Sequence, residues 1–145
     1  MALMASHGEI VPMPEAAIFA DTQDEPRAVY EWLDYLEPRL AFPVIRTSVG
    51  RLSEVSTTIR TSIKSGLMHT RSSPPVFVKG RDGCASPIMR QCTQDFKIRP
   101  IARSVQQLRA DRRVMQWFGI STDEAHRMKP SRVKYCTHRW PLIEL

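Results

Sequence analysis

The fold turns on residues 114–129, Val114-Met115-Gln116-Trp117-Phe118-Gly119-Ile120-Ser121-Thr122-Asp123-Glu124-Ala125-His126-Arg127-Met128-Lys129. An apolar run through Ile120 reaches a hydroxyl pair, then two carboxylates, then His126 and Arg127. The pattern predicts a buried strand over residues 114–120 that ends in a short turn. A helix then opens on Ser121 or Thr122 as its N-cap, with Asp123 and Glu124 in the first turn, where the helix dipole favours negative charge. In open α/β sheets ligands bind at the carboxyl ends of strands, beside such turns. The plainer alternative is a well-capped helix after a core strand.

Working outward, the same alternation recurs upstream. Residues 16–20, Ala-Ala-Ile-Phe-Ala, form a short continuous apolar run, as expected of a parallel strand covered on both faces. It leads into the polar turn Asp21-Thr22-Gln23-Asp24-Glu25-Pro26. Val29, Trp32, Leu33, Leu36 and Leu40 then recur at helical spacing, predicting an amphipathic helix over 26–40. Residues 42–49 read as a second strand closed by Gly50, and residues 52–63 as a helix weakened by Thr57, Thr58, Thr61 and Ser62. Residues 1–8 read as the end of a helix stopped at Gly8. Strand–helix–strand–helix is the signature of an α/β protein. Residues 65–91 break that rhythm and read as one long irregular loop with Ser72-Ser73-Pro74-Pro75 and Lys79-Gly80-Arg81-Asp82-Gly83 at its turns and one short extended piece at best, Val76-Phe77-Val78, between them. Residues 101–113 read as a helix with Ile101, Val105 and Leu108 inward and Arg103, Arg109, Arg112 and Arg113 outward. Residues 140–145 read as a last strand. The whole chain, 1–145, reads as a single domain.

The totals bound the function. A chain of 145 residues with 42% hydrophobic and 25% charged residues suffices for one domain with its own core. No apolar stretch approaches the roughly 20 residues of a membrane span. The first residues lack a secretion signal, and three cysteines give no disulfide framework, so a cytoplasmic setting is expected. The net charge of +6 is unevenly divided: residues 1–59 carry four arginines against nine carboxylates, residues 60–145 seventeen cations against six. So basic a second half predicts an anionic partner, either nucleic acid or an acidic protein or nucleoprotein face, with Arg103, Arg109, Arg112 and Arg113 as candidate contacts.

Three constellations carry candidate chemistry. Cys92 stands near Lys97 and Arg99; nearby cations ease ionisation of a thiol, and Lys and Arg at this spacing also suit phosphate or sulfate oxygens. Asp21 and Thr22 lie at the exit of the first strand, where ligand contacts are expected. His126 has the chemistry of an acid–base group. The Cys and His spacing fits no zinc site, and six scattered glycines form no phosphate-binding loop, so neither a metal nor a glycine-rich nucleotide cradle is expected.

Assembled, residues 17–22, 90–101 and 119–128 resemble the phosphoadenosine-phosphosulfate reductase family, and more closely the phage and bacterial reductase-like proteins of the adenine-nucleotide α-hydrolase superfamily. The resemblance runs along nearly the whole chain. It implies a Rossmann-like parallel sheet flanked by helices, with an adenine nucleotide as the ligand. Asp21 and Thr22 would line the nucleotide side, Lys97 and Arg127 would face phosphate or sulfate, and Ser121, Asp123 and Glu124 would shape the same cleft, with Arg99 among the anion contacts. Gln23 stands where the family commonly has glycine. The family's opening strand and its phosphate-binding loop have no counterpart here, nor has its cysteine-bearing C-terminal region, so the expectation is a truncated domain lacking the central first strand. Residual nucleotide binding without turnover follows. The strands at 16–20 and 114–120 would either pair directly or leave open edges through which two copies could associate. The other expectation, from size and charge, is a phage or mobile-element binding protein acting on nucleic acid or on a host nucleoprotein complex, for example as an inhibitor of host defence.

Overall fold

The structure is a computed structural model that describes residues 1–63, 65–70, 77–80, 83–87 and 93–145. It is a mixed α/β protein with short parallel pairs. In chain order the elements are α1 (Ala2–Ser6), β1 (Ala17–Asp21), α2 (Arg27–Leu36) with a 3-10 turn Glu37–Arg39, β2 (Val44–Ser48) and α3 (Leu52–Thr57). Then follow β3 (Ile59–Thr61), β4 (Met68–Thr70), β5 (Phe77–Lys79), β6 (Ala85–Pro87), a π-helical turn Thr93–Ile98, α4 (Arg99–Arg109) and β7 (Val114–Trp117). A 3-10 turn Thr122–Arg127, β8 (Cys136–Arg139) and α5 (Pro141–Glu144) complete it.

The strands pair as β1 with β2, β3 with β4, β5 with β6 and β7 with β8. β7 and β8 run parallel, Val114 opposite Cys136 and Trp117 opposite Arg139, and the ladder extends to the Phe118 amide, which donates to the Arg139 carbonyl at 3.0 Å. β1 and β2 form the other parallel pair, and the Ala17 amide reaches the Pro43 carbonyl where both strands begin. Of the two arrangements expected for the strands at β1 and β7, direct pairing does not occur: they belong to separate sheets.

The chain divides into two compact units, residues 1–17, 33–44 and 105–145 in one and residues 18–32 and 45–104 in the other. In the first unit, Ala5, Ile10 and Phe42 form a buried cluster against which Met1, Met4, Leu40, Trp117 and Leu142 pack. Helix α1 earns its place there by burying Ala5, and Gly8 ends it at a φ of 79°, a left-handed stop that costs glycine nothing. In the second unit Phe96, 1% exposed, is the largest fully buried side chain among the described residues, and Ala20 is buried from β1.

Four local expectations are corrected. The helix expected over 52–63 stops at Thr57, because the Thr57 and Thr58 hydroxyls donate back to the Ser53 and Glu54 carbonyls at 2.8 and 2.7 Å and the β-branched run goes on as β3. Within the stretch read as an irregular loop, β4, β5 and β6 are built into two antiparallel hairpins, with β3 opposite β4 and β5 opposite β6. The helix after Ser121 is a six-residue 3-10 turn. Ser121 Oγ donates to Asp123 at 2.5 Å instead of accepting from a helix amide, and Pro130 forces Lys129 out of the helical region. The last strand lies earlier, at β8, and residues 141–144 are helical, because Pro141 at the first turn is preorganised for a helix and unfit for a ladder. In α2, Val29, Leu33 and Leu36 line the packed face, while Trp32, about 60° off that stripe at 100° per residue, is 54% exposed.

Candidate functional site

The end of β1 carries a connected polar network. Asp21, the last strand residue, accepts the Gln23 amide at 2.8 Å, an Asx turn that bends the chain, and accepts the Tyr30 hydroxyl at 2.8 Å. Gln23 itself stands at φ 59°, in the left-handed region. Only glycine adopts this conformation without steric cost. Gln23 accepts that cost because Asp21 holds its amide.

Beyond the turn, Thr22 is 4% exposed and its hydroxyl donates to Glu25 Oε1 at 3.0 Å. The same oxygen receives Lys97 Nζ at 3.0 Å, so Glu25 joins the strand exit to the π-helical turn. The turn is also tied to the start of α3: the Leu52 amide donates to the Thr22 carbonyl at 2.9 Å and the Ser53 amide to Asp24 at 2.6 Å. Asp21, Thr22 and Lys97, three residues singled out from sequence, are thus brought together. Arg99 points its charge elsewhere within its own segment, pairing with Asp95 at 2.5 Å.

Chemically this cluster is rich in acceptors. Asp21, Asp24 and Glu25 face two cations, Lys97 and the Arg51 guanidinium, which lies 3.8 Å from Asp24. Such a set suits hydroxyl and amino donors, with Lys97 as the group to meet an anion. Tyr30 is held above the ordinary tyrosine range, first by desolvation and then by its bond to Asp21, so it remains a neutral donor at physiological pH. Sequence reasoning missed Glu25, Tyr30 and Asp24. The legible signal for Glu25 was the Thr22-x-x-Glu25 spacing, which marks reciprocal side-chain bonding just before a helix.

The remaining residues of the expected cleft lie in the first unit and bond among themselves. Ser121 donates to Asp123, which holds that carboxyl below its ordinary range, and Glu124 pairs with Arg127 three residues on. Glu124 therefore neutralises the cation that was expected to meet phosphate. His126 is exposed. Of the candidate partner-contacting arginines, Arg103 and Arg113 are exposed, Arg112 is bound by Glu15 through two bonds of 3.1 Å, and Arg109 lies 4.2 Å over the Tyr135 ring beside Asp111. Cys92, the candidate thiol, lies outside the described residues.

Among the described residues no cluster of histidine, cysteine and carboxylate side chains fits a metal ion, and no helix is long and apolar enough to cross a membrane. Comparison with protein-family models, with curated proteins and with solved structures returned no match.

Proposed function

We propose that this chain binds an adenine nucleotide through the turn after β1 and does not turn it over. One observation carries the reading: Lys97 reaches the exit of a parallel strand, 3.0 Å from Glu25, on the carboxylate that also holds the buried Thr22 hydroxyl. Strand exits are where α/β proteins present ligand contacts, and the residues gathered there are those the family resemblance assigns to the nucleotide. The finer fold, a Rossmann-like adenine-nucleotide α-hydrolase domain, belongs to the same proposal.

The donor set suits the ligand in a particular way. Asp21, Asp24 and Glu25 accept hydrogen bonds from ribose hydroxyls or the adenine amino group, and Lys97, on exchanging Glu25 for the ligand, meets a phosphate oxygen. A single cation that must first leave a carboxylate gives weak phosphate binding and little stabilisation of a transferring group. Binding without turnover is the consequence.

Isothermal titration calorimetry with ATP and with phosphoadenosine phosphosulfate tests this. Micromolar binding of either, lost in Lys97→Ala and unaccompanied by release of phosphate or pyrophosphate, is the expected result. Absence of binding at millimolar nucleotide, or binding unaffected by Lys97→Ala, would overturn it.

A further inference from the structure

The first unit holds a cluster of cations that no carboxylate satisfies. Between the 3-10 turn and β8 the chain reads Lys129-Pro130-Ser131-Arg132-Val133-Lys134-Tyr135, and Lys129, Arg132 and Lys134 are all exposed and unpaired among the described residues. Arg113, which leads into β7, is likewise exposed and unpaired. The parallel register brings it to this loop: Val114 lies opposite Cys136, and the Val114 amide donates to the Tyr135 carbonyl at 2.8 Å, so Arg113 stands beside Lys134 and Tyr135.

The loop is also held in shape. His138 Nδ1 lies 2.7 Å from the Lys129 carbonyl, Ser131 Oγ bonds both the amide and the carbonyl of Val133, and the Cys136 amide donates to the Val133 carbonyl at 3.0 Å. Arg109 stacks on Tyr135 from α4 at 4.2 Å and keeps its own charge at the patch, with Asp111 opposite it. Counting Arg109 and Arg112 with their carboxylates Asp111 and Glu15, six cations face two anions, a local excess of four.

We infer that this loop, with Arg113, is a docking surface for the phosphate backbone of duplex nucleic acid, distinct from the nucleotide-binding turn. Three unneutralised cations on a pinned loop, with Arg113 beside it, match closely spaced phosphates and gain from the counterions they release. Proteins that hold single strands add exposed aromatic platforms for base stacking. Here the aromatics are spent internally: Tyr135 under Arg109, Phe118 edge-on to His138 at 4.7 Å, and Trp117 beneath Arg139 at 5.1 Å. Contacts of this kind position a protein on a duplex without reading its sequence. An acidic protein face would need a central apolar core, and the loop offers only the small Pro130 ring and Val133, 45% exposed, as open apolar surface.

Fluorescence anisotropy with a short labelled duplex of arbitrary sequence tests the surface. With four phosphates neutralised, log K should fall against log salt with a slope of about −3.6. The variant Arg113→Glu/Arg132→Glu/Lys134→Glu should weaken binding at low salt by about 100-fold or more, and Arg132→Gln/Lys134→Gln, which leaves the fold least disturbed, should reduce the slope by about 2. Arg27→Glu, in α2, should leave binding unchanged. Lys97→Ala should also leave it unchanged, which separates failure here from failure of the nucleotide reading. A slope near zero, full binding by the triple variant, or preference for single strands, polyglutamate or anionic phospholipid vesicles over the duplex would each overturn the proposal.

Discussion

Replacing Glu25 with alanine removes a carboxylate that two elements share, and the cost follows from the two groups it leaves behind. The Thr22 hydroxyl is 4% exposed and its donor bond runs to Glu25 Oε1, so truncation strands a buried polar group at about 1–3 kcal/mol. Lys97 is 48% exposed and keeps access to water, so loss of its ion pair costs only about 0.5 kcal/mol after screening. Glu25→Ala should therefore destabilise by about 2 kcal/mol, most of it through Thr22. The double-mutant cycle makes the attribution measurable: in a Thr22→Val background the hydroxyl is already gone, and Glu25→Ala should then cost about 0.5 kcal/mol, a remainder that fades in 1 M salt. Urea unfolding followed by far-UV circular dichroism, with unchanged m-values, supplies the four free energies. Equal cost of Glu25→Ala in both backgrounds would refute the shared-carboxylate account of this turn.

Phe96→Ala, which empties a fully buried aromatic site of the second unit, should cost about 3–5 kcal/mol by urea denaturation; a loss below about 1 kcal/mol would mean that Phe96 is not packed as described. At Gln23, φ 59°, a β-branched residue is strained and glycine is not, so Gln23→Val should lower stability by about 1–2 kcal/mol while Gln23→Gly does not, measured as shifts in thermal midpoint. The carboxyls of Asp123 and Glu144 are held below their ordinary ranges, by the Ser121 hydroxyl and by Arg139 respectively. A depressed folded-state value means that their stabilisation is present above the unfolded-state value and is lost as pH falls through the folded one. Between about pH 5 and pH 3 the wild type should thus lose more stability than Asp123→Asn/Glu144→Gln, and parallel curves for the two proteins would exclude the linkage.

The features legible along the chain are local and periodic. The apolar run at 16–20 and the one beginning at Val114 are strands because short apolar runs carrying Ile18 and Phe19, or Val114 and Trp117, and bounded by turn residues are too short to make a buried helix. Gly8 stops its helix and Val29, Leu33 and Leu36 give α2 its face, because those signals act within a few residues. Asp21 and Thr22 were readable as a strand exit for the same reason. Which charges are left free depends on contacts between distant parts of the chain. Arg112 looks alike in sequence to Arg113 and Arg132, yet Glu15, far along the chain, claims it, whereas Arg127 is claimed by Glu124 only three residues before it. Lys97 meets Glu25 across a long sequence separation, and Arg113 reaches the loop at 129–135 only through the parallel register of β7 and β8. Short-range propensity is written along the chain, but Coulombic partners are chosen by distance in space, and distance is set by pairing and packing.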